Sequence, residues 1–142
     1  MRRSYDFLLI LAVLPLLLGM GSLFGNVSPG EIPVPEKKFT VTFIDQMDVI
    51  TKCTEVSIEG EIFLEGKQGK GVYAIPFDNI KSIVFYLKGN KLRGAVKLND
   101  GNTTELVLRK DGLAYGRTKY GTFRIELSNI KKVIIHPGPG EG

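Results

Sequence analysis

GKQGKGVYAIPFDNIKSIVF at residues 66–85 and GRTKYGTFRIELSNIKKVII at 116–135 are one stretch used twice, fifty positions apart and without a gap. Gly66, Gly71, Ile75, Asn79, Ile80 and Lys81 recur as Gly116, Gly121, Ile125, Asn129, Ile130 and Lys131. Lys67 and Arg117, Tyr73 and Phe123, Phe77 and Leu127, and Ile83 and Val133 keep their chemistry. In each copy two glycines bracket a polar loop, KQGK or RTKY, between β-prone runs, which is a hairpin signal. Then comes a corner, Phe77–Lys81 or Leu127–Lys131, where Asp or Ser followed by Asn favours one helical or 3₁₀ turn. Ile80 and Ile83, like Ile130 and Val133, are spaced to face one core. Each copy closes on a hydrophobic strand, SIVFYL or KVII, that reads as buried on both faces.

Working outward, FTVTFI at 39–44 alternates apolar and polar residues as a half-buried strand does. Thr54, Val56 and Ile58 resume the alternation and Ile62–Leu64 adds a short strand. Between the copies lie LRGAVKL and TTELVL, joined by Asn99-Asp100-Gly101-Asn102, with the Asp-Gly pair that favours a tight hairpin. VTFIDQ at 41–46 aligns loosely with VKLNDG at 96–101, which implies that the second copy is about five residues shorter. The expectation is an all-β fold of about eight strands, a small barrel or sandwich, from two tandem copies at 39–87 and 92–136. A copy of about 45 residues is too small to be stable alone, so the copies share a core about a pseudo-twofold axis.

The N-terminus has a different composition. Arg2 and Arg3 precede an uncharged apolar run from Phe7 to Gly25, the layout of an export signal. Gly19 and Gly21 suit cleavage after Gly21, while the run is also just long enough for an uncleaved membrane anchor helix. Both readings place the remainder in the periplasm or on the outer face of the cytoplasmic membrane. No cysteine follows the run, which excludes a lipoprotein. Residues 26–38, with Pro29, Pro33 and Pro35, read as a stiff spacer, and 137–142 as a disordered tail.

The 142 residues carry a formal net charge of +4, unevenly spread. Residues 31–87 hold six Lys and nine Asp/Glu, while 88–132 hold eleven Lys/Arg and four Asp/Glu. The split suits either contact between the halves or a basic face for an anionic envelope partner. Candidates for that face are Lys97, Arg109, Arg117, Lys119 and Arg124. The lone Cys53 rules out an internal disulfide and reads as a small buried thiol.

Catalytic signals are sparse. His136 is the only histidine and sits beside the tail, a poor place for a general base. No CxxC or HExxH spacing occurs, and neither metal nor cofactor is expected. The glycine loops lack the Lys-Ser/Thr of a phosphate loop and enter strands instead. Asp45 with Asp48, and Asn99 with Asp100, fit turn chemistry better than a Ca²⁺ site. Lys119–Ile125 matches poorly the aromatic strand that stacks RNA bases, and export removes the chain from RNA, so no nucleic-acid partner is expected. Glu59, Glu61 and Glu65 sit at alternating positions of a solvated edge. An enzyme working through them requires a concave pocket holding at least two, which the spacing does not imply.

The pairing of VKLNDG with GTFRIELSNIKKV, and GVYAIPFDNIKSI in the first copy, resembles small exported bacterial β-domain proteins of uncharacterised function. The resemblance spans 39–135 and implies a fold without an activity. First-copy FIDQ lacks the Asp-Gly, and Glu126 stands where the first copy has Pro76. The reading is therefore a non-catalytic exported β-domain that binds an envelope protein or an anionic envelope component. It meets the membrane only through residues 7–25, if these are retained.

Overall fold

The computed structural model describes residues 31–138, in a compact unit that begins at Ile32. The expected signal or anchor helix lies outside the described residues, as does 139–142 of the tail. No described helix is long and apolar enough to cross a membrane.

The chain is all-β, with ten antiparallel strands rather than about eight. They are β1 (Val41–Asp45), β2 (Ile50–Ile58), β3 (Phe63–Gln68), β4 (Gly71–Pro76), β5 (Ile80–Lys88), β6 (Lys91–Leu98), β7 (Thr103–Leu108), β8 (Leu113–Thr118), β9 (Gly121–Glu126) and β10 (Ile130–Ile135). The count rises because each copy holds five strands. In the strand before each hairpin loop, the inward positions are Leu64 and Gly66, or Ala114 and Gly116. In β8 both inward residues are small and leave little apolar alternation to read, whereas Leu64 marks β3. The loops shrink accordingly, to Gly69-Lys70 and Lys119-Tyr120. Both corners are single 3₁₀ turns, Phe77–Asn79 and Leu127–Asn129, closed by bonds from the N–H of Ile80 to Phe77 and of Ile130 to Leu127.

The sheet order is β4-β3-β7-β6-β5-β10-β1-β2-β8-β9, a single curled sheet. Read from the centre outward, it is the same series twice. β5 and β10 meet antiparallel, with Ile83 opposite Val133, Ser82 opposite Ile134 and Val84 opposite Lys132. Residues fifty apart exchange places in this register, so a pseudo-twofold axis passes between Ile83 and Val133.

The axis does not separate the copies. The β3-β4 hairpin of the first copy docks on β7 of the second, and the β8-β9 hairpin of the second docks on β2 of the first. One half of the sheet is the continuous segment 63–108. The other joins 41–58 to 113–135 across β1 and β10, close to the two ends of the described chain. The charge split is largely consumed by this exchange. Acidic β1-β2 lies beside basic β8–β10, with Arg117 paired to Glu55 at 3.3 Å and Lys131 to Asp48 at 2.6 Å. The segment 63–108 carries seven basic and four acidic residues, and 41–58 with 113–135 carries six and four, so the spatial halves are nearly alike.

The recurring Asn-Ile-Lys now has a physical role. The carbonyls of Asn79 and Asn129 accept bonds from the N–H of Asn99 and Gln46. Ile80 and Ile130 are buried, and the register skips Lys81 and Lys131, which bulge outward. The same bonds fix the true alignment. Gln46 corresponds to Asn99 and Phe43 to Val96, an offset of 53, so the copies differ in length by three residues rather than five.

The core is one cluster fed by both halves, including Val41, Phe43, Leu64, Phe77, Ile83, Leu106, Ile130 and Val133. The central strands bury one face fully and the other partly: Val84 is 41 % exposed, against the expectation of burial on both faces. Cys53 is 1 % exposed, and burial pushes its thiol up to about 11, so it stays protonated and unreactive at neutral pH.

Candidate functional site

Three features compete for function: a cleft between the two parts of the sheet, the basic β8-β9 hairpin, and a second cleft around His136.

The first cleft, about 410 Å³, has an apolar floor of Ile58, Phe63, Val72, Val107, Leu108 and Leu127. Its charged rim is Glu59, Glu61, Glu65, Lys67 and Arg109. The structure thus brings together the three carboxylates that the spacing alone left on a solvated edge. Glu59 is already engaged, since its Oε1 accepts the N–H of Leu113 at 2.9 Å. Glu61 and Glu65 are exposed. No group of three His, Cys, Asp or Glu among the described residues is placed to hold a metal.

The cleft exists because the two halves end differently. In one, β2 bulges at Glu55, whose φ is +51°, and goes on pairing with β8 through Ser57 opposite Tyr115 and Ile58 opposite Ala114. In the other, β7 stops at Leu108, and its only pair with β3 is Val107 opposite Lys67. The three residues by which the copies differ are those that close the first seam, and their lack leaves the second open. That length difference was the signal in the sequence, hidden by a two-residue error in aligning β1 with β6.

Of the five basic candidates, three share the β8-β9 hairpin. Arg117 and Arg124 lie on its outer face, because Arg117 is opposite Thr122 and Arg124 is opposite Tyr115, while Ala114 and Gly116 face the core. Lys119 is in the turn, 5.1 Å from the ring centroid of Tyr120, which is 88 % exposed. Lys97 lies on β6, separated from β9 by five intervening strands in the sheet order. Arg109 follows β7 on the rim of the cleft and pairs with Asp111 at 3.4 Å.

His136 is better anchored than its neighbourhood in the sequence implies. Its N–H bonds to Thr40 at 2.9 Å and its Nε2 lies 2.7 Å from the Thr42 hydroxyl. It lines a second cleft of about 500 Å³ with Asp78, Lys81 and Asn99. Asp78 is paired with Lys37, and Asn99 donates to the carbonyl of Asp78. The aspartate turns are as expected: Asp45 accepts the N–H of Met47 and Val49, and Asp100 that of Asn102.

Residues 35–138 match the model of a family described as "Uncharacterised protein", and the chain belongs to that family. No curated protein and no solved structure matches it.

Proposed function

We propose that this member of the family is an exported, non-catalytic module of the cell envelope that holds an anionic partner on the outer face of its β8-β9 hairpin. The observation that carries the reading is the state of the charges there. Arg124 and Lys119 have no ion-pair partner among the described residues, Arg117 is shared with Glu55, and Tyr120 projects beside Lys119. Unpaired cations beside an exposed aromatic ring suit a partner that brings carboxylate or phosphate groups. The edge strand β9 carries Arg124 and Glu126, which discourages random strand addition and leaves the hairpin to recognition by side chains. The proposed site of action is the periplasm or the outer face of the cytoplasmic membrane.

The test is crosslinking of the full-length protein in its own cells, with mass spectrometry of what is attached, beside a Lys119→Glu/Arg124→Glu variant. A discrete partner whose recovery falls at least about tenfold in the variant is expected, since like charges oppose docking. Equal recovery from both forms contradicts the reading, as does uncrosslinked protein in the soluble exported fraction.

A second reading, an enzyme subunit with a carboxylate site, is favoured by one observation, the gathering of Glu59, Glu61 and Glu65 on one cleft.

A further inference from the structure

We propose that the cleft between β3 and the end of β7 is a binding site for a short extended peptide carrying apolar side chains and a basic group. The inference goes beyond the hairpin reading and uses none of its residues.

The first ground is the interrupted ladder. In the β3-β4 hairpin, alternate residues of β3 turn their N–H and C=O away from β4. Lys67 is one of these and pairs with Val107. Glu65, two residues back, sits opposite Ala74 of β4 and is turned the same way, but it has no partner on the β7 side, because β7 has ended at Leu108. At the corresponding place in the other half, Tyr115 is paired with Ser57. The backbone of Glu65 therefore opens on the cleft with a donor and an acceptor, the groups an added strand uses.

The second ground is the shape and lining. About 410 Å³ is within the range of small-ligand sites, and Phe63, Val72 and Val107 offer an apolar floor to one or two side chains. Phe63 and Val72 come from the hairpin and Val107 from β7, so a ligand seated there bridges elements that diverge without it.

The third ground is charge. On the rim, Arg109 is paired with Asp111 and Glu59 with the N–H of Leu113, whereas Glu61 and Glu65 have no side-chain partner among the described residues. The two open carboxylates select a cation. Lys67 on the same rim moderates the field, so the basic group is expected to be single.

The probe is acetyl-Lys-Ile-Val-amide, titrated into the ¹⁵N-labelled full-length protein and followed by amide chemical shifts. Saturable shifts are expected at Glu65, Lys67 and Val107, with affinity at least tenfold weaker in a Glu61→Gln/Glu65→Gln variant. Both positions are exposed, so an unchanged melting temperature is expected to accompany the loss. A peptide of the same composition with N-methylated backbone amides is expected to bind at least tenfold more weakly than the parent. No shift at these amides at millimolar peptide overturns the proposal. Binding indifferent to both the carboxylate and the N-methyl changes overturns it as well. A fully retained affinity for acetyl-Glu-Ile-Val-amide overturns the choice of a cation. Neither result bears on capture through Lys119 and Arg124.

Discussion

Gly116→Ala is expected to lower the melting temperature by roughly 10–20 °C, a loss of about 2–3 kcal/mol. A methyl group at residue 116 would lie 2.7 Å from Cys53 Cβ, 3.1 Å from its Sγ and 3.2 Å from Val56 Cγ2. Two Cβ atoms fixed to facing backbones cannot rotate apart, so β8 or β2 must move. Gly66 is placed alike, 2.7 Å from Leu106 Cβ and 2.9 Å from Leu108 Cδ2, and Gly66→Ala is expected to cost as much. These two recurring glycines are the points where each hairpin crosses onto the other copy. Gly71 also recurs in the repeat, but a Cβ there meets only the Gln68 carbonyl, at 3.5 Å. Gly71→Ala is expected to change stability by about 0.5 kcal/mol at most. Thermal unfolding of the three variants separates the roles, and a Gly116→Ala protein as stable as the parent contradicts the close approach.

Ending the chain at Asn129 is expected to abolish the fold. The deletion removes β10, with buried Ile130, Val133 and Ile135, and with it the seam to β5 and the pairing that holds β1. Burial of three aliphatic side chains contributes roughly 5–9 kcal/mol, against about 5–15 kcal/mol for a whole domain. The segment 63–108 remains but loses the strand opposite Ile83 and the core contacts of Ile130, Val133 and Ile135. Circular dichroism and calorimetry are expected to show no cooperative transition. A fragment that melts cooperatively would contradict the dependence of the fold on β10.

Much of this was legible in the repeat. The 3₁₀ corners lie where Asp78-Asn79 and Ser128-Asn129 marked them, although the turns start at Phe77 and Leu127 and no side chain caps them; the shared core follows from the pairing of Ile80 with Ile83 and Ile130 with Val133, and the buried thiol from Cys53 within a strand. The exchange of hairpins was not legible, because a repeat records which residues are equivalent and not which copy each one touches. β2 and β7 present equivalent edges, so either hairpin satisfies the local pattern on either strand. The split of charge was the one indirect clue: Glu55 with Arg117 and Asp48 with Lys131 are attractive pairs only if the copies interleave. The cleft was hidden for a related reason. Glu59, Glu61 and Glu65 are near in sequence, but Val107 and Arg109 join them only once β3 leaves its own copy.

Both the cleft and the free basic hairpin depend on the interleaving of the copies. Disulfide trapping tests it most directly, in a Cys53→Ala background with two pairs of introduced cysteines. The exchanged arrangement puts Lys67 opposite Val107, at a spacing a disulfide spans, and Thr54 opposite Arg117. A hairpin docked within its own copy would put Lys67 opposite Thr54 instead. Lys67→Cys/Val107→Cys is expected to close an intramolecular disulfide in the folded protein while Lys67→Cys/Thr54→Cys stays reduced. Closure of the second pair, with the first left as free thiols, would contradict the interleaving.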